Sequence, residues 1–195
     1  MKNQFRNLMH YLLFFLTVIL ILPVNGDGLQ SLRKYDLTNY RFTNAPVNEG
    51  VVVKQLNASQ RFILSSGRKE LNALLHRKLG IKEIRGDVRD LSILQQVVDQ
   101  KLLSNGQLRA WQSMGIVFGD LLVREFGLSW ISYEDEAGIS KALRWRDTDN
   151  FVFPITFFSK RIQFGETIDV KLLYDEISTE IKQFKQSSGL VAGQR

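Results

Sequence analysis

The stretch 107–165 constrains the fold most, because its hydrophobic period changes from helical to extended. Residues 107–126 carry large apolar side chains at helical spacing, which predicts a helix with a broad apolar face. Gly115 and Gly119 lie one turn apart on that face, although each glycine costs about 1 kcal/mol relative to alanine in a helix interior. We therefore expect another backbone, that of the following hairpin, to approach the helix there. A ligand lying across the two glycines is the alternative.

The residues after this helix are rich in aromatic and β-branched side chains, which favour strands. They predict a hairpin of strands 128–134 and 139–145, with Gly138 at a positive φ in the turn. A third strand is expected at 151–153, where Pro154 ends it. Val51-Val52-Val53 could form a further short strand.

Apolar residues at helical spacing elsewhere predict helices at 59–79, 91–103 and 170–185, with a shorter helical turn at 155–164. Asn57 suits the N-cap of the first helix, an interpretation we prefer to a glycosylation acceptor at Asn57-Ala58-Ser59. Asp90 and Asp169 are the expected caps of the second and last helices. The predicted fold class is α+β, with helices packed on one face of a small three-stranded antiparallel sheet.

The N-terminus has the pattern of a secretory signal. Lys2 and Arg6 precede a mostly apolar run at 8–22, and we expect cleavage after Gly26. The predicted divisions are a signal peptide at 1–26, an irregular arm at 27–56, one α+β domain at 57–186 and a flexible tail at 187–195. The protein would then be periplasmic or secreted. The alternative is an uncleaved anchor in the inner membrane, although a spanning helix needs about 20 apolar residues.

Composition excludes several chemistries. The chain has no cysteine and only two histidines, His10 and His76, so disulfides and thiolate chemistry are excluded and histidine-based catalysis is restricted. Ser66 and Lys69 match the S-x-x-K signature of penicillin-binding enzymes, but the accompanying K-T-G is absent and we interpret the match as chance. No nucleotide-binding or H-E-x-x-H motif is present. We predict no catalytic residue, no metal site and no cofactor.

The net charge of +6 falls to +4 if residues 1–26 are removed, because they contain two of the 26 basic residues and none of the 20 acidic ones. A mild excess spread along the chain favours an anionic partner but not nucleic acid.

Two groups of charged and aromatic residues are candidate sites. Cationic and indole side chains suited to an anionic ligand form the predicted binding set, which is Trp130, Trp145, Arg144, Arg146, Lys160 and Arg161. Arg161 could instead pair with Glu166 or Asp120. Glu134, Asp135 and Glu136 crowd the hairpin turn, where they could act as an acid/base pair or bind a hard cation, although turn chemistry already explains them.

Between about residues 90 and 177 a series of motif residues follows in a specific order: Asp90, Leu91, Leu94, Gln95; Gly115, Phe118, Gly119; Trp130, Asp135, Glu136, Gly138; Phe153, Pro154; Lys160, Arg161; Gly165, Glu166. Through this order the sequence resembles the bacterial domain of unknown function 3806 (DUF3806) family. The resemblance implies a small, often exported bacterial protein. It implies no catalytic residue, because no activity is assigned to the family.

The sequence thus predicts a non-enzymatic periplasmic binding or protein-interaction module that uses the open face of its sheet. Its expected partner is an unknown protein or an anionic ligand in the cell envelope, with membrane contact only through an uncleaved signal segment. A small hydrolase that uses the turn carboxylates and a structural envelope protein are the alternatives.

Overall fold

The predicted helices and strands form an α+β fold. The computed structural model describes residues 42–43 and 50–192, so the predicted signal segment at 1–26 and most of the predicted arm at 27–56 lie outside the described residues. The helices are α1 Ala58–Leu79, α2 Asp90–Asp99, α3 Leu108–Phe126, α4 Phe157–Gln163 and α5 Val170–Ala192, with a 3-10 turn at Pro154–Thr156 before α4. No helix in the described part has the length and apolar character needed to cross a bilayer.

Within the described residues the sheet has five antiparallel strands, so the prediction of three was wrong. The strands are β1 Phe42–Thr43, β2 Val52–Gln55, β3 Ser129–Asp135, β4 Gly138–Arg144 and β5 Phe151–Val152, in the spatial order β1-β5-β4-β3-β2. The hairpin and the strand after it were predicted, and Gly138 has the expected positive φ of 119°. Of the two additional strands, β2 overlaps the further short strand expected at 51–53. β1 was not predicted, because it has only two residues and pairs with residues far away in sequence.

Two of the three expected helix caps are confirmed. Asn57 and Gln60 form a reciprocal capping box at the start of α1, and Asp169 Oδ1 accepts the Leu172 N–H at 2.8 Å. Asp90 does not cap α2. Its carboxylate instead accepts backbone N–H groups from residues 85–87 in the preceding loop, because the chain folds back over the helix start.

Two helix predictions need adjustment at their ends. The second helix ends at Asp99 rather than at residue 103. The last helix continues to Ala192, so residues 187–192 are helical where a flexible tail was predicted; residues 193–195 lie outside the described part.

The main core lies between the helices and one face of the sheet. Leu143 and Val152 from the strands pack with Phe118 of α3, Phe158 of α4 and Ile177 of α5, all fully buried. Phe118 meets the Phe158 ring edge-on at a centroid distance of 5.6 Å. Leu71 and Leu75 of α1 belong to the same cluster, so the core depends on residues from both ends of the domain.

The two glycines of α3 are contact points for other parts of the chain, but the backbone that approaches them is not that of the hairpin. A Cβ on Gly115 would lie 2.4 Å from the carbonyl oxygen of Pro154 and 2.6 Å from that of Ile155. A Cβ on Gly119 would lie 2.5 Å from the Trp130 ring. The backbone that approaches Gly115 therefore belongs to the segment after β5, and the hairpin contributes only the Trp130 side chain at Gly119. Protein atoms fill the space that the ligand alternative required.

Candidate functional site

A groove of about 490 Å³ lies beside β4, bounded by α1, α3 and the segment 153–156. We call it the β4 groove. Its apolar lining residues are Phe62, Ile63, Ile116, Ile139, Phe153 and Ile155. Its uncharged polar lining residues are Ser66, Gln112, Ser113, Ser140 and Thr156. Its volume is in the range of ligand-binding clefts, which combine an apolar lining with a few polar groups.

Three large apolar side chains at the groove are exposed to water. The exposed fraction is 71% for Phe62, 63% for Ile139 and 47% for Ile63. Two of them extend from the first turns of α1 and the third from the beginning of β4. Single exposed apolar residues are ordinary, but a group of them around one concavity is typical of a binding surface.

The charged residues that line the β4 groove are Arg109 and Lys141, and none of its described lining residues is acidic. Arg109 Nε donates to Glu70 Oε2 at 3.3 Å, and the Ser113 hydroxyl donates to the same oxygen at 3.3 Å. The Arg109–Glu70 pair is exposed and therefore weak. The groove thus combines an apolar surface with two cations that an anionic group could approach.

The walls of the groove are held together by a charged network behind it. Arg68 of α1 donates two hydrogen bonds to the carboxylate of Asp120 on α3, at 2.5 and 2.7 Å. Trp130 Nε1 of β3 donates to the same carboxylate at 2.9 Å. The hydrogen bond to Asp120 raises the pKa of Arg68 above its usual value. This bidentate geometry fixes α1, α3 and the sheet relative to one another.

Trp130 and Arg144 from the predicted binding set have structural contacts. Trp130 belongs to the network with Asp120 and also packs on Gly119. Arg144 Nε donates to the Thr148 carbonyl oxygen at 2.7 Å, and its guanidinium lies 5.6 Å from the centre of the Phe151 ring. Arg144 therefore organises the turn between β4 and β5.

Trp145 and Arg146 lie away from the β4 groove. Trp145 packs against Phe184 of α5, at a centroid distance of 6.5 Å, and so lies on the helix side of the sheet instead of on its open face. The Arg146 guanidinium lies 4.8 Å from the Trp145 ring, and Lys185 Nζ lies 5.4 Å from it. Arg146 is exposed and has a φ of 52°. Binding of an anion at this surface stays a prediction.

Lys160 and Arg161 are on α4, and neither lines the β4 groove. Arg161 is buried and donates to the Phe157 carbonyl oxygen at 3.0 Å. Its backbone carbonyl accepts the Glu166 N–H at 2.8 Å. Asp120, one of the two partners expected for Arg161, pairs with Arg68.

The acidic turn has local contacts that account for two of its three carboxylates. Glu134 pairs with Lys54 of β2 at 3.3 Å, and Asp135 Oδ1 accepts the Ala137 N–H at 2.9 Å. Glu136 is exposed. Among residues 50–187 no group of three or more histidine, aspartate or glutamate side chains is placed to hold a metal ion.

A second, wider depression of about 790 Å³ lies between α2 and α5. Its carboxylates have partners nearby: Asp169 caps α5, Asp175 pairs with Lys171 at 2.7 Å, and Asp99 accepts from Gln95 at 2.8 Å. These contacts explain the acidic residues without a ligand, so the β4 groove is the better candidate.

The polar residues that begin the family-like region stabilise a loop and a helix start. Asp90 binds the loop before α2, and the Gln95 side chain accepts the Val170 N–H at 2.8 Å while donating to the Ile168 carbonyl at 3.3 Å. Hydrogen bonds from Arg89 lower the pKa of Asp87 well below its usual value. These motif residues therefore have a role in the fold.

Sequence reasoning missed Phe62, Ile63 and Ile139 as site residues. The available signal was weak: Phe62 and Ile63 precede the leucine stripe of α1 that enters the core at Leu71 and Leu75. Ser66 was singled out for a different reason; it lines the β4 groove, whereas Lys69 is exposed and does not. The serine and the lysine of the S-x-x-K match therefore do not both line the groove.

Comparisons with known proteins agree with the fold and the resemblance. No curated protein matches the chain. A protein from Bacteroides thetaiotaomicron VPI-5482, solved at 1.50 Å resolution, has a similar fold with a TM-score of 0.58 and 19% sequence identity. The match covers 65% of this chain and 46% of that one, so the likeness spans about half of the larger protein's length. The sequence model described as Domain of unknown function (DUF3806) matches residues 90–174. The region 90–174 of the chain therefore matches the DUF3806 family, as the sequence resemblance predicted.

Proposed function

We propose that the protein is a non-enzymatic binding module of the cell envelope and that the β4 groove is its binding site. The observation that carries the proposal is the group of exposed apolar side chains, Phe62, Ile63 and Ile139, around one concave surface. Covering apolar surface is favourable by roughly 25 cal/mol per Å². A partner that covers these three residues would therefore gain binding energy without any rearrangement of the core.

The composition of the groove supports binding over catalysis. Its polar lining consists of hydroxyl and amide groups together with Arg109 and Lys141, which suit recognition of a polar or anionic partner. The hydrolase alternative needs the carboxylates of the hairpin turn. Glu134 and Asp135 there are engaged by Lys54 and by the Ala137 backbone.

Export is the second part of the proposal. It is supported by the signal-like pattern of residues 1–26, which predicts a mature chain beginning at Asp27 in the periplasm or medium. Mass spectrometry of the protein recovered from fractionated cells tests this. An intact N-terminus in the membrane fraction would favour the anchor alternative.

The binding site is tested by photocrosslinking in living cells. A photoreactive phenylalanine analogue replaces Phe62 in the groove or, as a matched control, Leu172, which is 57% exposed on α5. We expect one dominant adduct from position 62, lost when Ile139→Glu is also present, and no such adduct from position 172. Equal adduct patterns from the two positions would refute the groove as the site.

A further inference from the structure

We propose that the occupant of the β4 groove is an extended acidic peptide segment that adds a strand to the free edge of β4. This inference rests on the proposed function, since it names the class of partner that the same groove would take. Three observations carry it: the unpaired edge, the apolar wall beside that edge and the charge of the groove.

The edge of β4 is only partly covered. β3 pairs with β4 along its whole length, from Gly138 to Arg144, whereas β5 pairs with it only at Leu143 and Arg144. Along Gly138–Ala142, therefore, no strand among the described residues lies on the side away from β3. An edge of this kind presents N–H and C=O groups that another extended chain can pair with.

The unpaired part of the edge coincides with the groove. Ile139, Ser140 and Lys141 of β4 all line it. Natural edges are often protected by proline, a bulge or several charges. Here the segment 138–142 contains one lysine and no proline, and Ile139 is 63% exposed.

The walls give an added strand a preferred pattern of side chains. In the β3–β4 register, Ile139 and Lys141 share a sheet face with Leu143, which enters the main core on the helix side. Successive side chains of a strand point to opposite faces. An added strand would thus direct every second side chain towards Phe62 and Ile63 of α1, where aliphatic residues fit.

Charge complementarity favours acidic residues in the peptide. Arg109 and Lys141 line the groove, and no acidic residue is among its described lining residues. Lys141 is on the same strand edge that would pair with the peptide, so a carboxylate at the facing position would lie near its ammonium group. Electrostatic complementarity of this type fixes register and accelerates association at low salt.

The first experiment uses the purified full chain and a positional-scanning library of fluorescein-labelled octapeptides, with binding measured by fluorescence anisotropy. We expect selected peptides to carry aliphatic residues at alternate positions and aspartate or glutamate at one or more others. Ile139→Glu is expected to weaken the best peptide by about tenfold or more, whereas Leu172→Glu, at a similarly exposed apolar position outside the groove, leaves its affinity unchanged.

The second experiment distinguishes strand addition from side-chain binding alone. The best peptide is N-methylated on its odd or on its even amides. Because N–H groups of a strand point alternately to its two edges, only one set can face β4. That set should lose about tenfold or more in affinity, comparable with the loss of one or more hydrogen bonds, and the other set should lose much less.

Charge reversal tests the acidic preference. Lys141→Glu is expected to weaken the acidic peptide and to bind better a peptide in which the facing acid is replaced by lysine. Lys182→Glu, at an exposed position on α5, is the control and should change neither affinity.

The outcomes separate this inference from the proposed function. Two outcomes would keep the groove as a site but overturn the peptide as its occupant. One is an adduct at position 62 when the library yields no binding peptide. The other is saturable binding of the fatty acid dodecanoate that peptides do not displace. Equal effects of the two N-methylated sets would overturn strand addition. Concentration-dependent dimerisation abolished by Ile139→Glu would assign the edge to a second copy and overturn the peptide. No specific adduct at position 62 and no ligand of either kind would overturn both.

Discussion

Replacing Gly115 by alanine tests the packing on which the fold depends. An alanine Cβ at this position would lie 2.4 Å from the Pro154 carbonyl oxygen and 2.6 Å from that of Ile155. Both atoms are backbone, so they can move only if the chain between β5 and α4 moves. In an unobstructed helix the same substitution would stabilise by about 1 kcal/mol, because alanine is the better helix former.

The expected sign of the change in stability follows from comparing the cost of overpacking with the gain in helix propensity. Forcing additional atoms into a well-packed region costs typically about 1–3 kcal/mol, and a rigid backbone neighbour places Gly115 at the upper end. After the helix-propensity gain, we expect Gly115→Ala to reduce the free energy of unfolding by about 2 kcal/mol. For a chain of this size that corresponds to a fall in Tm of about 4–8 °C. Urea denaturation followed by tryptophan fluorescence measures the change.

Gly67→Ala on α1 is the matched control. The nearest atom to its Cβ would be Ile116 Cδ1 at 2.6 Å, the end of a flexible side chain that can adopt another rotamer. We therefore expect a clearly smaller loss for Gly67→Ala than for Gly115→Ala. If Gly115→Ala instead stabilised the protein by about 1 kcal/mol, the approach of 154–155 to α3, and with it one wall of the β4 groove, would be refuted.

Two further predictions concern charged residues. Asp120→Ala should lower the free energy of unfolding by about 2 kcal/mol, because it removes charge-assisted hydrogen bonds and leaves the Trp130 N–H without its acceptor. The control Asp175→Ala, which breaks an exposed pair, should lower it by at most about 0.5 kcal/mol. Equal urea midpoints for the two variants would contradict this prediction. Arg89 lowers the pKa of Asp87 in the folded protein. The ionised Asp87 therefore stabilises the fold fully above its unfolded pKa of about 4. This stabilisation is lost progressively as the pH falls from there towards the lowered pKa of the folded state. The difference in urea midpoint between the wild type and Asp87→Asn should accordingly be larger at pH 7 than at pH 3, and a difference independent of pH would disprove the linkage.

The residues that carry the family resemblance have structural roles where their contacts are described. Asp90 binds a loop, Gln95 holds the start of α5, and Gly115 and Gly119 admit close neighbours. Trp130 packs on Gly119 and bonds Asp120. The resemblance therefore reports a shared fold, and the exposed residues of the β4 groove lie largely outside its motifs.

Local periodicity was sufficient for most of the elements. The helix over 107–126, the hairpin and the capped start of α1 at Asn57 follow from side-chain spacing and turn chemistry, which act within a few residues. The same information indicated only part of β2, through the valine run at 51–53, and failed for β1, which has two residues. It also failed for Asp90, because a carboxylate next to a helix start can accept N–H groups either from the helix that follows or from the loop that precedes it.

The sequence by itself determined the α+β class, the order of the main elements and the absence of thiol chemistry, because these depend on composition and on short-range spacing. Tertiary structure alone decided which charged residues meet and which apolar ones stay in water. Arg68 pairs with Asp120 across 52 positions, and Phe62 and Ile139 border one groove although they are far apart in sequence. Such contacts arise when separate elements pack together, and a pattern confined to one element contains no information about its neighbour.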